Sequence, residues 1–414
     1  MEEFKRFEFQ YGLVLVRTRR FQSLMDRLGA NRLSRPAGWF LLYFMPVAAG
    51  IGFFLFLSQL GILLSPRGAA VASYIRTLSP LANLGLPGIN PYLPVVDGWI
   101  ALIVAMIIHE GAHGVVARSL GLPVKASGLL FFLFVPIGAF VDVDEDALKE
   151  AKASHSGRVL AAGAGINLVV GILCLIILFG LVSSMKPATD GIGVEGVYPN
   201  YPAAKAGIMA GDFVTAINGV QIDDPATVAN SSWYRINNTV TLTVWRGGQV
   251  RDYNVTIGSL KYNDTRTGQV SERPFLGLEN IGYAGLQGLV SAYSGSFLTR
   301  PGLYICIPTF PACQGIVPFS DKLSVFYTSS YGPNLVPAAT LLYWLFFINF
   351  NLAIFNALPI YPLDGGQAFR VAVKAAAKGR LTEDGVMRVT KGVTLAVVAL
   401  LLSVIAGPYL FYFA

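Results

Sequence analysis

The sequence predicts a polytopic α-helical membrane protein of about five spans, with a re-entrant β-hairpin and a β-rich domain inserted between spans. Three observations lead there. Of 414 residues, 54% are hydrophobic and 13% charged, and the mean hydropathy is +0.56; water-soluble domains carry about 25% charged residues. Apolar runs long enough to cross a bilayer recur along the chain. Between two of them, residues 186–335 turn polar and show short alternating runs instead. The net charge of +7 would suit a nucleic-acid partner, but Lys and Arg cluster at the ends of apolar runs, where membrane topology places them. The expected partner is therefore the lipid bilayer, with no nucleic acid.

Residues 1–36 form a basic segment with Lys5, Arg6, Arg17, Arg19, Arg20, Arg27, Arg32 and Arg35, which places the N-terminus in the cytoplasm. The first apolar run comes late and follows charge, unlike a cleavable signal peptide. The first span is expected at about 37–64, an outer loop at 65–96, and the second span at about 97–121. Residues 128–145, GLLFFLFVPIGAFVDVDE, are too short for a helical crossing and break at Pro136-Ile137-Gly138. Their β-branched and aromatic residues suit a hairpin over 128–141 that dips into the membrane, sheltered by protein or water because open strands in lipid leave backbone groups unpaired. A helix and turn follow in DVDEDALKEAKASHSGR, with His155 read as a solvated loop residue. The third span is expected at 158–184, and its small residues Ala161, Ala162, Gly163 and Gly165 permit close helix approach.

From 186 to 261 the runs TVTLTVW and YNVTI alternate as strands do, PAAKAGIM reads as a short helix, and GDFVTAINGVQI as strand, turn and strand. The tripeptides beginning at Asn230, Asn237, Asn254 and Asn263 match the glycosylation pattern and agree with an outward-facing domain. Residues 262–335 form an extracytoplasmic extension of unassigned fold, in which Cys306 and Cys313 bracket a Pro-rich loop where a disulfide is feasible. Cys174, inside an apolar run, reads as a small core residue. The last spans fall at 336–358 and 392–413, separated by a loop with Lys374, Lys378, Arg380, Arg388 and Lys391. Five crossings leave the C-terminus outside.

Within the second span stands HEGAH. The sequence holds only three histidines, and His109 and His113 are two of them, spaced four apart. That spacing puts both imidazoles on one helical face, a turn apart, where they can share a zinc ion, while Glu110 can reach a water on that ion. Ionisable groups in hydrocarbon are costly, so their presence points to function. A catalytic zinc takes a third protein ligand and keeps one position open. His155 is a poor third. The acidic group Asp142, Asp144, Glu145 and Asp146 is an alternative, though runs of charge are usually solvated. Asp364 is the stronger candidate: it follows an apolar span, precedes Gly365-Gly366 and falls near the depth of His109. The competing role for Asp364 is to cap the helix QAFRVAVKAAAK.

With these residues in view the chain resembles the site-2 protease family of intramembrane zinc metalloproteases, particularly its archaeal and bacterial members. HEGAH matches the family's HExxH, PIGAFVDVDE its membrane-associated hairpin, AAGAGIN its small-residue and Asn motif, and NALPIYPLDGG its Asn-x-x-Pro…Leu-Asp-Gly motif. The inserted domain looks like a PDZ domain, through GIGVEGV and YPAAKAGIMAGDFVTAINGVQI with its Gly211-Asp212 pair. The prolines Pro359 and Pro362 depart from the Pro-x-Pro of many bacterial members. The resemblance implies hydrolysis of peptide bonds in or near transmembrane segments of membrane-anchored substrates. It implies Zn2+ held by His109, His113 and Asp364, with Glu110 as general base. Asn167 and Asn356 become candidates to orient substrate or stabilise the developing oxyanion, with helix packing as their other role. The hairpin could pair with an unwound substrate strand, and the PDZ-like domain could sieve substrates or bind a new C-terminus. A metal transporter using the same ligands, or a membrane scaffold displaying the inserted domain, are the competing classes. The first would leave the Glu of HExxH without a role, and no inverted repeat is evident.

Overall fold

A computed structural model of the chain describes residues 7–10, 13–18, 20–132, 135–263, 268–295, 300 and 302–410. Lys5, Arg6, Arg19, the hairpin tip at 133–134, two residues of the Asn263 sequon and the end of the last expected span lie outside them. The chain divides into two compact units, one comprising Met1–Leu175 with Leu341–Ala414, the other Ile176–Thr340. Five helices are long and apolar enough to cross a membrane, so this is a multi-pass membrane protein with a separate sheet-rich region.

The first unit opens with strands β1 (Phe7–Gln10) and β2 (Leu13–Thr18) and the short helix α1 (Gln22–Gly29). Helix α2 (Ser34–Leu63) is the first spanning helix; it is followed by α3 (Gly68–Thr77) and by the second, α4 (Val95–Ser119). Strands β3 (Val124–Phe132) and β4 (Val135–Val143) come next, then α5 (Glu145–Glu150) and the third spanning helix α6 (Ala153–Ser183). The hairpin expected over 128–141 is thus longer, and it is not alone. β1 and β2 add to it, forming a four-stranded antiparallel sheet in the order β1-β2-β3-β4, with Val16 opposite Leu129. The basic N-terminal segment therefore supplies two strands and a helix. This arrangement answers the backbone problem of an open hairpin, because β2 pairs with β3 from Ser127 to Phe132 on the side away from β4.

The second unit begins with β5 (Lys186–Pro187), β6 (Ile192–Val197), α7 (Pro202–Ala206), β7 (Phe213–Ile217), β8 (Val220–Gln221) and α8 (Pro225–Ala229). β9 (Thr239–Arg246) and β10 (Gln249–Thr256) form a hairpin, and β11 (Gly258–Asn263) pairs with β12 (Val270–Phe275). Val240, Leu242 and Val244 of β9 point into a core with Ile192, Val214 and Val255, while the alternate threonines face out. The main sheet runs β10-β9-β7-β6-β13, with β8 on β7. Its last strand, β13 (Leu278–Gly282), comes from beyond residue 261, so the β-rich domain does not end where the alternation of the sequence ends. The unit continues with α9 (Tyr283–Tyr293), α10 (Gly302–Ile305) and β14 (Tyr327–Thr328), the last paired with β5. Cys306 and Cys313 are disulfide-bonded, and Cys174 is buried and free. Asp212, 1% exposed, is gripped by Arg246 through Nε at 2.5 Å and Nη2 at 2.6 Å, and accepts from the Met209 N–H.

The first unit resumes with the fourth spanning helix α11 (Leu335–Ala357), then α12 (Asp364–Ala377), the fifth spanning helix α13 (Glu383–Ile405) and the short α14 (Gly407–Leu410). Two apolar clusters hold it. One joins Met25, Leu41, Val116, Val124 and Val159. The other joins Met45, Ala48, Ala161, Ala164, Leu168, Ala353 and Ala357, and its alanines let α2, α6 and α11 pack closely. Large apolar side chains such as Phe54, Leu57, Ile176 and Leu395 remain more than half exposed, which suits lipid rather than water.

Candidate metal centre

α4 carries His109 and His113 a turn apart, 6% and 8% exposed. Asp364 reaches them from the start of α12. Its Oδ2 lies 3.0 Å from His109 Nε2 and 3.2 Å from His113 Nε2, and the three ligand atoms lie within 4.8 Å of one another. Nitrogen and oxygen ligands about 2.0–2.1 Å from a tetrahedral zinc stand roughly 3.3 Å apart, so the cluster has the dimensions and donor set for that ion. The capping role for Asp364 is not realised. Leu363 occupies the N-cap position without a side-chain cap, and the Asp364 carboxylate turns to the histidines instead. The turn before it is tight: Cβ atoms on Gly365 or Gly366 would overlap the backbone of Ala357 to Tyr361.

Each imidazole is held from behind. His113 Nδ1 lies 2.7 Å from the Val159 carbonyl on α6, which fixes its proton on Nδ1 and leaves the Nε2 lone pair free. His109 Nδ1 lies 3.2 Å from the Asn167 amide, and that side chain is fully buried, with its Oδ1 lacking a hydrogen-bond partner. Gly163 lies between these two supports. A Cβ there would overlap His109 Nε2 and His113 Nε2, so only glycine lets α6 approach both rings. Glu110 points to the sheet, where its Oε2 accepts the Val141 N–H of β4 at 2.9 Å. Val141 stands opposite Ser127 on β3. The N–H it gives to Glu110 lies on the outer edge of β4, the last strand of the sheet.

The remaining candidates fall elsewhere. Asp142 pairs with Arg17, Asp144 with Lys125, and both Glu145 and Asp146 with Lys149. Asp144 also caps α5; the Ala147 N–H and the Lys125 ammonium hold its carboxyl below the usual carboxylate range. His155 sits half-buried near the start of α6, outside the cluster. Asn356 is half-buried on α11, and its side chain makes no hydrogen bond among the described residues. Asn167, a candidate for either a substrate contact or helix packing, is fully buried with its amide 3.2 Å from His109 Nδ1. Sequence reasoning marked Gly163 only as a packing residue and missed Val141 and Val159. The last two act through backbone atoms, which leave no signature in residue type.

Two histidines and a carboxylate with a glutamate alongside, set among spanning helices, are the side chains a membrane metalloprotease requires. The family model described as Peptidase family M50 matches residues 98–404, more than half the chain, and the protein belongs to that family, the site-2 protease family. Among its relatives, an uncharacterised protein of Methanocaldococcus jannaschii is 25% identical over 351 residues, covering 85% of this chain and 75% of the relative. The zinc metalloprotease Rip1 of Mycolicibacterium smegmatis is 24% identical over 341 residues, covering 64% of this chain and 82% of the relative. A shorter match, 39% identical over 71 residues, is to a Brucella suis protein named probable periplasmic serine endoprotease, DegP-like, and covers 17% of this chain and 14% of that one.

Proposed function

We propose that the protein is an intramembrane zinc metalloprotease that hydrolyses peptide bonds in or near the transmembrane segments of membrane-anchored substrates. The convergence of His109, His113 and Asp364 beside Glu110 carries this reading. The zinc metalloproteases among its relatives support the choice of metal. His109 and His113 hold Zn2+ through Nε2, with the Asp364 carboxylate as third ligand. Bound there, zinc supplies a Lewis acid for the scissile carbonyl and acidifies a water molecule. Glu110 would accept a proton from the attacking water and return it to the leaving amine. The Val141 N–H keeps one carboxylate oxygen in place.

Asn167 acts behind His109. A ring that ligates through Nε2 carries its proton on Nδ1, so Asn167 serves by presenting its amide oxygen to that proton; a half-turn of the amide does this in the same volume. The unpartnered Oδ1 fits that orientation. Asn356 is left as the candidate to meet substrate. The outer edge of β4 receives the unwound substrate by strand addition, which brings an extended peptide alongside Glu110.

The sheet-rich unit is proposed as a PDZ-like domain. An apolar cavity of about 230 Å³, lined by Ile192, Val214, Val228 and Leu278 among others, lies between α8 and the edge strand β13. It favours capture of an extended peptide end over steric sieving alone. The basic stretches before α2 and around α12 support a cytoplasmic N-terminus and an outward PDZ-like domain.

The test is cleavage of single-span reporter peptides in detergent by wild type and Glu110→Gln, with bound zinc assayed in both. The protease reading expects zinc in each and a loss of turnover of about 10²–10⁴-fold in the variant. A transporter or scaffold would be little affected by the substitution, and equal cleavage by both proteins would reject Glu110 as the base.

A further inference from the structure

Arg158 is buried as a residue, 6% exposed, and among the described residues no carboxylate pairs with its guanidinium. Its Nε donates to the Ser154 carbonyl at 3.0 Å, and its Cζ sits 4.7 Å from the centre of the Trp39 ring. The charge acting on it is the positive charge of Arg35, and those acting on its neighbour His155 are Arg158, Lys152 and Arg35. Arg35 itself spends its Nε on the Ser119 carbonyl at the end of α4. Cations crowded at one spot repel one another, and an anion that joins them relieves the repulsion. The stacking on Trp39 offsets part of that cost and leaves the outer nitrogens of the fork unclaimed.

The place of the cluster says which anion. Ser34 begins α2 and Ala153 begins α6, so the cationic groups stand where two spanning helices leave the bilayer with their positive dipole ends. Trp39 is the kind of ring that marks the headgroup level. Next to it on α2, Phe40 is 51% and Tyr43 68% exposed, giving an apolar track that continues from the cationic pocket into the hydrocarbon. A free phosphate would use the pocket but not the track; a phospholipid uses both.

We propose that Arg158 and Arg35, with Lys152 and His155 beside them, form a site for the phosphate of an anionic phospholipid headgroup, whose acyl chains lie along the Trp39, Phe40 and Tyr43 face of α2. The site touches the metal centre through one peptide link. Val159, the residue after Arg158, supplies the carbonyl that holds His113 Nδ1. A lipid bound at Arg158 steadies that turn of α6 and, through it, the ligand.

The experiment uses the full-length protein in detergent. Native mass spectrometry counts bound dioleoyl phosphatidylglycerol or dioleoyl phosphatidylcholine, and the thermal midpoint is measured with each lipid or with inorganic phosphate. Phosphatidylglycerol should bind about fivefold more tightly than phosphatidylcholine. Arg158→Gln and Arg35→Gln should each remove that preference, while Arg380→Gln, on an exposed loop, should keep it. If Arg158→Gln fails to fold, Arg35→Gln decides alone. Equal binding of the two lipids, or preference retained in Arg35→Gln, overturns the site. A shift produced in full by inorganic phosphate shows a free-anion pocket and overturns the lipid assignment. Zinc loss to a chelator should slow when phosphatidylglycerol is bound, and equal rates overturn the coupling to His113. The lipid-binding measurements need no proteolysis and stand apart from the protease reading.

Discussion

α4 and α13 are near twins by composition: 25 and 23 residues, each with a mean hydropathy of 1.8 over its most apolar stretch. Yet 39% of that stretch is buried in α4 and only 11% in α13. Both cross the membrane, but one is wrapped by α6, β4 and α12 while the other shows most of its surface to lipid. Hydropathy reports the crossing and is blind to the environment. What separates the two is where polar groups stand. In α4 the imidazoles of His109 and His113 are each backed by a partner on α6, at Asn167 and Val159. Within the apolar part of α13, Thr394 accepts from the Tyr361 N–H at 3.0 Å and so ties the helix to the turn that precedes Asp364.

Substitutions can break or sharpen this contrast. The largest effect belongs to Gly163→Ala, because the added methyl would collide with Nε2 of both His109 and His113. Zinc affinity, measured by chelator competition, should fall on the order of 100-fold, and an unchanged affinity would mean that α6 does not back the rings. Asn167→Leu should weaken zinc about 10- to 100-fold, whereas Asn167→Asp, which keeps an acceptor for Nδ1–H, should restore most of it. Weakening by both alike would reduce Asn167 to a packing residue. On α13, neighbouring residues should separate. Thr394→Val loses the hydrogen bond accepted from the Tyr361 N–H and the longer one donated to the Pro359 carbonyl, and should cost about 1–2 kcal/mol of stability. Leu395→Ala, 71% exposed toward lipid, should stay within about 0.5 kcal/mol. A Leu395 effect as large as that of Thr394 would show that α13 has a protein partner on its outer face.

The sequence made the crossings legible because each is a local run, and the metal ligands legible because HEGAH and LDGG are local spacings of costly polar residues. What it hid was non-local. β2 finds its partner more than a hundred residues on, where Thr18 faces Ser127, so nothing near residues 7–18 announces a four-stranded sheet. β13 likewise completes a sheet whose other strands precede residue 257. Asn167 was legible as a polar residue needing a partner, but its direction was not: an asparagine on a span faces substrate or ligand according to helix rotation, which small residues such as Gly163 decide by how closely they let α6 approach α4. Arg158 carried no reading of its own in the sequence, because the stacking of its guanidinium on Trp39 has no one-dimensional signature.

The central claim is that the buried face of α4 holds zinc through two imidazoles, with α12 contributing a carboxylate. X-ray absorption at the zinc edge on purified Glu110→Gln tests it most directly, since that variant retains the ligands and cannot consume itself. The account predicts one zinc per chain, with two imidazole nitrogens and oxygen neighbours at about 2.0–2.1 Å, and loss of one oxygen contribution or of the metal in Asp364→Ala. Sulfur in the first coordination sphere, a third imidazole, or a spectrum indifferent to Asp364→Ala would contradict it.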